Sequence, residues 1–141
     1  MQGDWGDSLG YAGILAQAGW DQPPLLAGLI QSWRTLFQLY RPDVPVAHHS
    51  PSALLTARCD ALPAWRLGSG FVYPPRMAPF PVLRPWLPLP PGRLVELENA
   101  LLAKVPEGLS LADRPQLSTL ADALSEAGDI LLTMPELDHD G

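Results

Sequence analysis

Residues 41–71 read RPDVPVAHHSPSALLTARCDALPAWRLGSGF, and the order of signals along them decides the fold. Residues 44–47 are short, apolar and flanked by turn residues, which predicts a buried strand. Pro45 lacks a ladder donor and therefore belongs at the strand's start. Ser50 and Pro51 form an N-cap and N1 pair for a helix running through Arg58. Residues 64–67 predict a second strand, which ends in Gly68-Ser-Gly70. In a parallel sheet, the loops 48–51 and 68–71 would both lie at carboxyl ends of strands, where open α/β sheets take their ligands.

The flanking sequence adds helices. Residues 7–18 predict one, with Leu9, Ala12, Ile14, Leu15 and Ala18 leaning to one side. A longer one follows, capped by Asp21 and begun by Pro23 and Pro24. In it Leu25, Leu26, Leu29, Ile30, Trp33, Leu36, Phe37 and Tyr40 recur at three and four, a stripe expected to face the sheet. Pro42 ends that helix. Residues 72–91 are proline-rich with apolar residues between the prolines. They read as an ordered lid or binding loop, because those apolar residues want burial. A polyproline ligand for a partner domain is the other reading. Further helices are expected over 92–104 and 114–127, the second stopped by Gly128, then a third strand over 130–133. The expected fold is α/β: a partial Rossmann-like, three-layer domain with a short parallel sheet, residues 1–141 forming one unit.

Composition narrows the function. At 141 residues and 47% hydrophobic, the chain suits one packed domain. The net charge of −6, with nine basic residues in no cluster, disfavours nucleic acid as a partner. Its one cysteine, Cys59, cannot form an internal disulfide, which fits a reducing, cytoplasmic setting. Cys59 reads as a packing residue rather than a nucleophile, with no obvious base beside it. No run approaches a membrane span, and the acidic start is unlike a signal peptide.

Segments 41–71 and 129–141 resemble the N-terminal, acceptor-side domain of bacterial glycosyltransferases of the GT-B fold. These are relatives of macrolide, flavonoid and rhamnosyl transferases that use nucleotide-diphosphate sugars. In that group a strand opening Arg-Pro-Asp, here Arg41-Pro-Asp43, leads into a polar loop and helix, here His48-His-Ser-Pro51. A Leu-Pro, here Leu62-Pro63, precedes a strand and a Gly-Ser/Thr-Gly-Phe loop, here Gly68-Ser-Gly-Phe71. The apolar strand ending Pro-Glu-Leu-Asp-His, finishing here at His139, looks like the domain's last. The resemblance rests on these segments occurring in this order rather than on one stringent motif. The resemblance covers the later part of that domain. The family's glycine-rich turn and base-bearing strands would precede Met1, and its donor domain would follow Gly141. It implies that the chain is the acceptor-binding portion of a hexosyl or deoxyhexosyl transferase, inactive alone as a truncated product or a split-enzyme piece. The donor, a nucleotide-diphosphate sugar, would be a substrate of the complete enzyme, and this chain would hold no cofactor. A non-catalytic binding module derived from such a domain is the alternative. The implied partners are a donor-domain chain or a second copy pairing at an open sheet edge.

The place where the family offers an Asp to orient its catalytic base falls on His48. An imidazole does not reproduce a carboxylate's fixed negative charge. His49, Ser50, Ser69, Gly70 and Phe71 are the implied acceptor contacts. From the residues alone, His48 and His49 have three readings: solvent and hydrogen-bonding histidines, an acceptor contact, or a metal site. Being adjacent, they would point oppositely on an extended chain. Gly68-Ser-Gly70 is too short for a phosphate cradle and reads as a tight turn or a ligand contact. Trp65, Tyr73, Phe80 and Trp86 read equally as pocket lining or core. Asp138-His139-Asp140 lacks spaced partner ligands and reads as a solvated tail, so no metal site is expected. A Ser-His-Asp hydrolase would want a Gly-x-Ser-x-Gly elbow, which the sequence lacks.

Overall fold

In a computed structural model of the chain, residues 9–69, 74–110, 115–124 and 128–131 are described. The elements are α1 (Tyr11–Leu15), α2 (Pro23–Tyr40), β1 (Val46–Ala47), α3 (Pro51–Cys59), β2 (Trp65–Gly68), α4 (Arg93–Lys104), α5 (Leu120–Ala123) and β3 (Gly128–Leu131). The three strands form one sheet in the order β1-β2-β3, and both pairings are parallel. The fold is therefore α/β, built on a short parallel sheet.

Local chemistry explains most element boundaries. After α1 the helix widens through a π turn at Ala16–Trp20 and closes at Gly19, whose φ of 93° suits glycine. The cap of α2 is Gln22, one residue after the expected Asp21, and no side chain caps it. Pro23 there fills the first helical position, where a missing N–H leaves no helical bond unmade. Arg41, with φ 47°, ends α2 and returns its N–H to the Phe37 carbonyl at 2.8 Å. Strand β1 is half its expected length. Pro45 supplies no N–H, and His49 turns the chain at φ 48°.

Two expectations fail downstream. The helix expected over 114–127 is one turn among the described residues, and residues 115–119 are not helical. A capping box starts it: the Thr119 hydroxyl accepts from the Asp122 N–H, while the Asp122 carboxylate accepts from the Thr119 and Ser118 N–H groups at 2.8 Å. Gly128 opens β3, two residues before the expected strand. A Cβ at Gly128 would lie 2.9 Å from Trp65 Cε2, so the indole rests on that glycine.

The sheet forms an outer layer. Two successive crossovers step the same way across it, and right-handed crossovers then put both connections on one face. Burial agrees. Ala47, Arg66 and Gly68 alternate with their neighbours toward the covered face and are buried. On the other face Val46, Trp65 and Ile130 are 56%, 39% and 40% exposed. A helix–sheet–helix sandwich was expected. Among the described residues the order is instead sheet, α3, outer helices. Five consecutive residues of α3, Ala53 to Ala57, are buried, because α3 lies between two cores. Ala47, Ala53, Leu54, Ala57 and Ala64 pack it on the sheet. Leu55 joins the larger helical core with Leu15, Trp20, Leu26, Leu101 and Leu120.

Only part of the α2 stripe meets the sheet side as expected: Trp33 and Phe37 pack against the core that includes Ala47 of β1. This helix packs chiefly on α3 and on the 3₁₀ turn Val105–Gly108. Leu26 and Ile30 are buried there, while Leu25, Leu36, Leu39 and Tyr40 of the same stripe are exposed. Three strands of two to four residues give an 18-residue helix too little sheet to cover. No described helix is long and apolar enough to cross a membrane.

Candidate functional site

The loop after β1 opens onto a cavity of about 270 Å³, lined by Trp33 and Phe37 of α2, Pro45–Ser50, Ala53 of α3, and Ala64. Each wall has a local cause. Trp33 Nε1 donates to Ser52 Oγ at 3.1 Å, and Arg34 Nε and Nη2 donate to Asp60 Oδ1 at 2.8 and 2.7 Å. These bonds fix α2 to both ends of α3. Trp33 and Phe37 then meet with rings tilted by 36° at a 6.1 Å centroid separation and pack against the alanines of the sheet-facing core. Small residues at 47, 53, 57 and 64 keep α3 close to the sheet and leave the aromatic rings as the far wall.

His48, His49 and Ser50 all line this cavity. Both histidines border it although adjacent, and His49, at φ 48°, departs from the extended geometry in which neighbours point oppositely. His48 is exposed. Ser50 holds the N-cap position of α3 as expected, yet its hydroxyl makes no cap bond and bonds to no described residue. The pocket thus offers an apolar aromatic floor and a rim with an imidazole and a hydroxyl. Such a rim can accept from or donate to a ligand hydroxyl.

Ser69 follows β2, and parallel pairing of β1 with β2 sets the ends of the two loops side by side. Gly70, Phe71 and Tyr73 lie outside the described residues, as do Asp138, His139 and Asp140. Among the described residues no three His, Cys, Asp or Glu gather to hold a metal ion. Cys59 is half-buried against the helical core, consistent with a packing residue.

The other aromatic candidates go elsewhere. Phe80 is buried and meets Tyr11 edge to face at 5.3 Å. Trp86 is exposed, and Trp65 lies on the open sheet face. The pocket aromatics are Trp33 and Phe37, which the periodicity of α2 had assigned to packing on a sheet. Their spacing of four puts both on one helical side, but periodicity alone does not say whether that side meets a core or a cavity.

The proline-rich segment was expected to wall these loops, but the described part contributes no residue to this cavity. It packs on α1 and α4 instead. Val82 bridges Gly10, Leu83 N–H bonds the Leu9 carbonyl at 3.0 Å, and Phe80 N–H bonds Glu98 Oε1 at 2.6 Å. Arg76 reaches Asp129 Oδ2 at 3.3 Å. That carboxylate also takes Arg66 Nε at 2.6 Å and Nη2 at 3.0 Å, a bidentate pair joining β2 to β3. None of the family models, curated proteins and solved structures compared with this chain matches it.

Proposed function

We propose that this chain is the acceptor-binding portion of a GT-B-type glycosyltransferase, its sheet the later part of a Rossmann-like domain. The whole enzyme would move a hexosyl or deoxyhexosyl group from a nucleotide-diphosphate sugar to a hydroxylated acceptor. The observation that supports this reading best is the grouping of His48, His49 and Ser50 around one aromatic-walled cavity at the carboxyl end of a parallel strand. That is where α/β sheets hold ligands. The acceptor's apolar body would lie against Trp33 and Phe37, with its hydroxyl at the His48 rim. His48 occupies the place of the family's base-orienting Asp. Ser69 and its loop would meet the acceptor from the β2 side. A donor-domain chain would supply the nucleotide sugar, in the cytoplasm.

The test is a reconstituted enzyme, given the base-bearing segment and donor domain of a related transferase. His48→Asp should raise its turnover, because a fixed carboxylate charge holds and stabilises a catalytic imidazolium better than a second imidazole. Trp33→Ala should raise the acceptor KM. No effect of either change would remove the site from the mechanism.

A second reading is a non-catalytic module that works by binding a partner. The uncovered, apolar face of a parallel sheet favours it, since such sheets are ordinarily covered on both sides. In that case reconstitution yields no transfer with any hexose donor, while the β1 edge still mediates association.

A further inference from the structure

We propose that a second cavity, between α4 and residues 78–79 and 118–120, is a binding site for a primary ammonium group, carried by a small amine or a lysine side chain. The cavity measures about 140 Å³, the liquid volume of about five waters. Its floor and sides are apolar, from Pro79, Val95, Leu102 and Leu120. Its polar lining is Glu98, Asn99, Ser118 and Thr119.

Glu98 is the one acidic side chain of this lining. It is only 8% exposed, and a buried carboxylate ordinarily has a cation beside it. Among the described residues Glu98 has no cationic partner. Oε1 accepts the Phe80 N–H at 2.6 Å, and Oε2 bonds to no described residue. Anchoring Phe80 needs one oxygen and no charge, so a glutamine would serve that role equally. An ionisable carboxyl kept in an apolar cleft, with one oxygen unused, is explained by a cation that visits it. The neighbouring charges are engaged elsewhere: Arg76 with Asp129, and Asp122 with the Ser118 and Thr119 N–H groups. Burial holds the Glu98 carboxyl above its ordinary range, and a bound cation would reverse that shift.

The lining selects the ligand. An ammonium carries three donors and no acceptor. Glu98 Oε2, the Asn99 side-chain carbonyl and the Ser118 hydroxyl are acceptors, and Asn99 and Ser118 are exposed, at the mouth. The apolar sides suit an alkyl stem. A quaternary ammonium offers no N–H and does not match these acceptors.

The experiment is calorimetric titration of the full chain with ethylammonium chloride, N-acetyl-lysine methylamide and tetramethylammonium chloride. Saturable binding of ethylammonium assigns the site to small amines; binding of the lysine derivative alone assigns it to a protein side chain. Either result supports the proposal, provided tetramethylammonium binds more weakly. Glu98→Gln should then weaken binding about tenfold or more, the size expected for a lost hydrogen bond to a charged group. Should that variant fail to fold, Val95→Phe crowds the cavity from α4, leaves Glu98 in place and should weaken binding in the same way. Absence of saturable binding by both primary amines, equal binding of tetramethylammonium, or unchanged affinity in the variant tested would overturn it.

Discussion

Glu98 should give the protein's stability a pH dependence of defined sign. Its carboxyl is raised by burial, against the lowering effect of the Phe80 N–H, so the folded state holds its proton more tightly than the unfolded chain. The stability linked to that proton is present in acid and is lost as pH rises through the raised value. Glu98→Gln keeps an acceptor for Phe80 and removes the titration. Urea unfolding from about pH 4 to pH 8 should therefore show the variant gaining on the wild type as pH rises. A difference that stays constant across that range would refute the assignment. Asp122 shifts the opposite way. Its burial pushes up, but bonds from the Thr119 and Ser118 N–H groups and the Thr119 hydroxyl, with the charge of Arg58, hold it lower. Its contribution is present above the usual carboxylate range and is lost in acid. Gly128 is a steric case. Trp65 lies against it, so Gly128→Ala should destabilise the protein by about 1–3 kcal/mol as the indole is forced off β3. An unchanged denaturation midpoint would mean that Trp65 moves aside freely.

At the scale of elements, the proline-rich segment is held by one side chain more than by its prolines. Phe80 is buried in the helical core against Tyr11 and gives its N–H to Glu98. Phe80→Ala should lower stability by about 3–5 kcal/mol and open residues 74–91 to proteolysis. Cleavage elsewhere first, with this segment protected, would show that Val82 and Leu83 suffice as anchors. Which elements the sequence reveals follows from where their signals lie. Helices α2, α3 and α4 are legible because Pro23 and Pro51 mark two starts and apolar residues recur at helical spacing through all three. The α5 turn is shorter than its alanines and leucines suggest, because Thr119 and Asp122 fix its start late. That Thr-x-x-Asp box is a local signal that outweighs the apolar periodicity around it. The start of β3 depends on Trp65 lying across Gly128, a contact between residues 63 positions apart that no local pattern records. The candidate site divides in the same way. His48 to Ser50 are legible as a loop after a strand, whereas Trp33 and Phe37 become its wall only through packing of α2 on α3.

For the whole molecule the governing feature is the sheet's unfinished side. Trp65 N–H bonds the Pro45 carbonyl at 2.9 Å, and parallel ladders alternate. The N–H and C=O of Val46 therefore point away from β2, along the outer edge of β1. Beside that edge Val46, Trp65 and Ile130 form a strip across all three strands. At about 4.8 Å between strands it is about 10 Å wide, enough for one helix or the face of another sheet. Among the described residues no strand pairs with that edge, and exposed apolar surface beside an open edge promotes association. The purified chain should show a sedimentation-derived mass that rises with concentration. The net charge of −6 opposes self-association through electrostatic repulsion, so added salt should strengthen it. Val46→Lys with Ile130→Lys places two charges on the strip and leaves Trp65 on Gly128. That variant should remain monomeric at the same concentrations, with an unchanged helical circular-dichroism signal. If the wild type stays monomeric at high concentration and high salt, the strip tolerates water, and the edge of β1 is no docking site for a second copy.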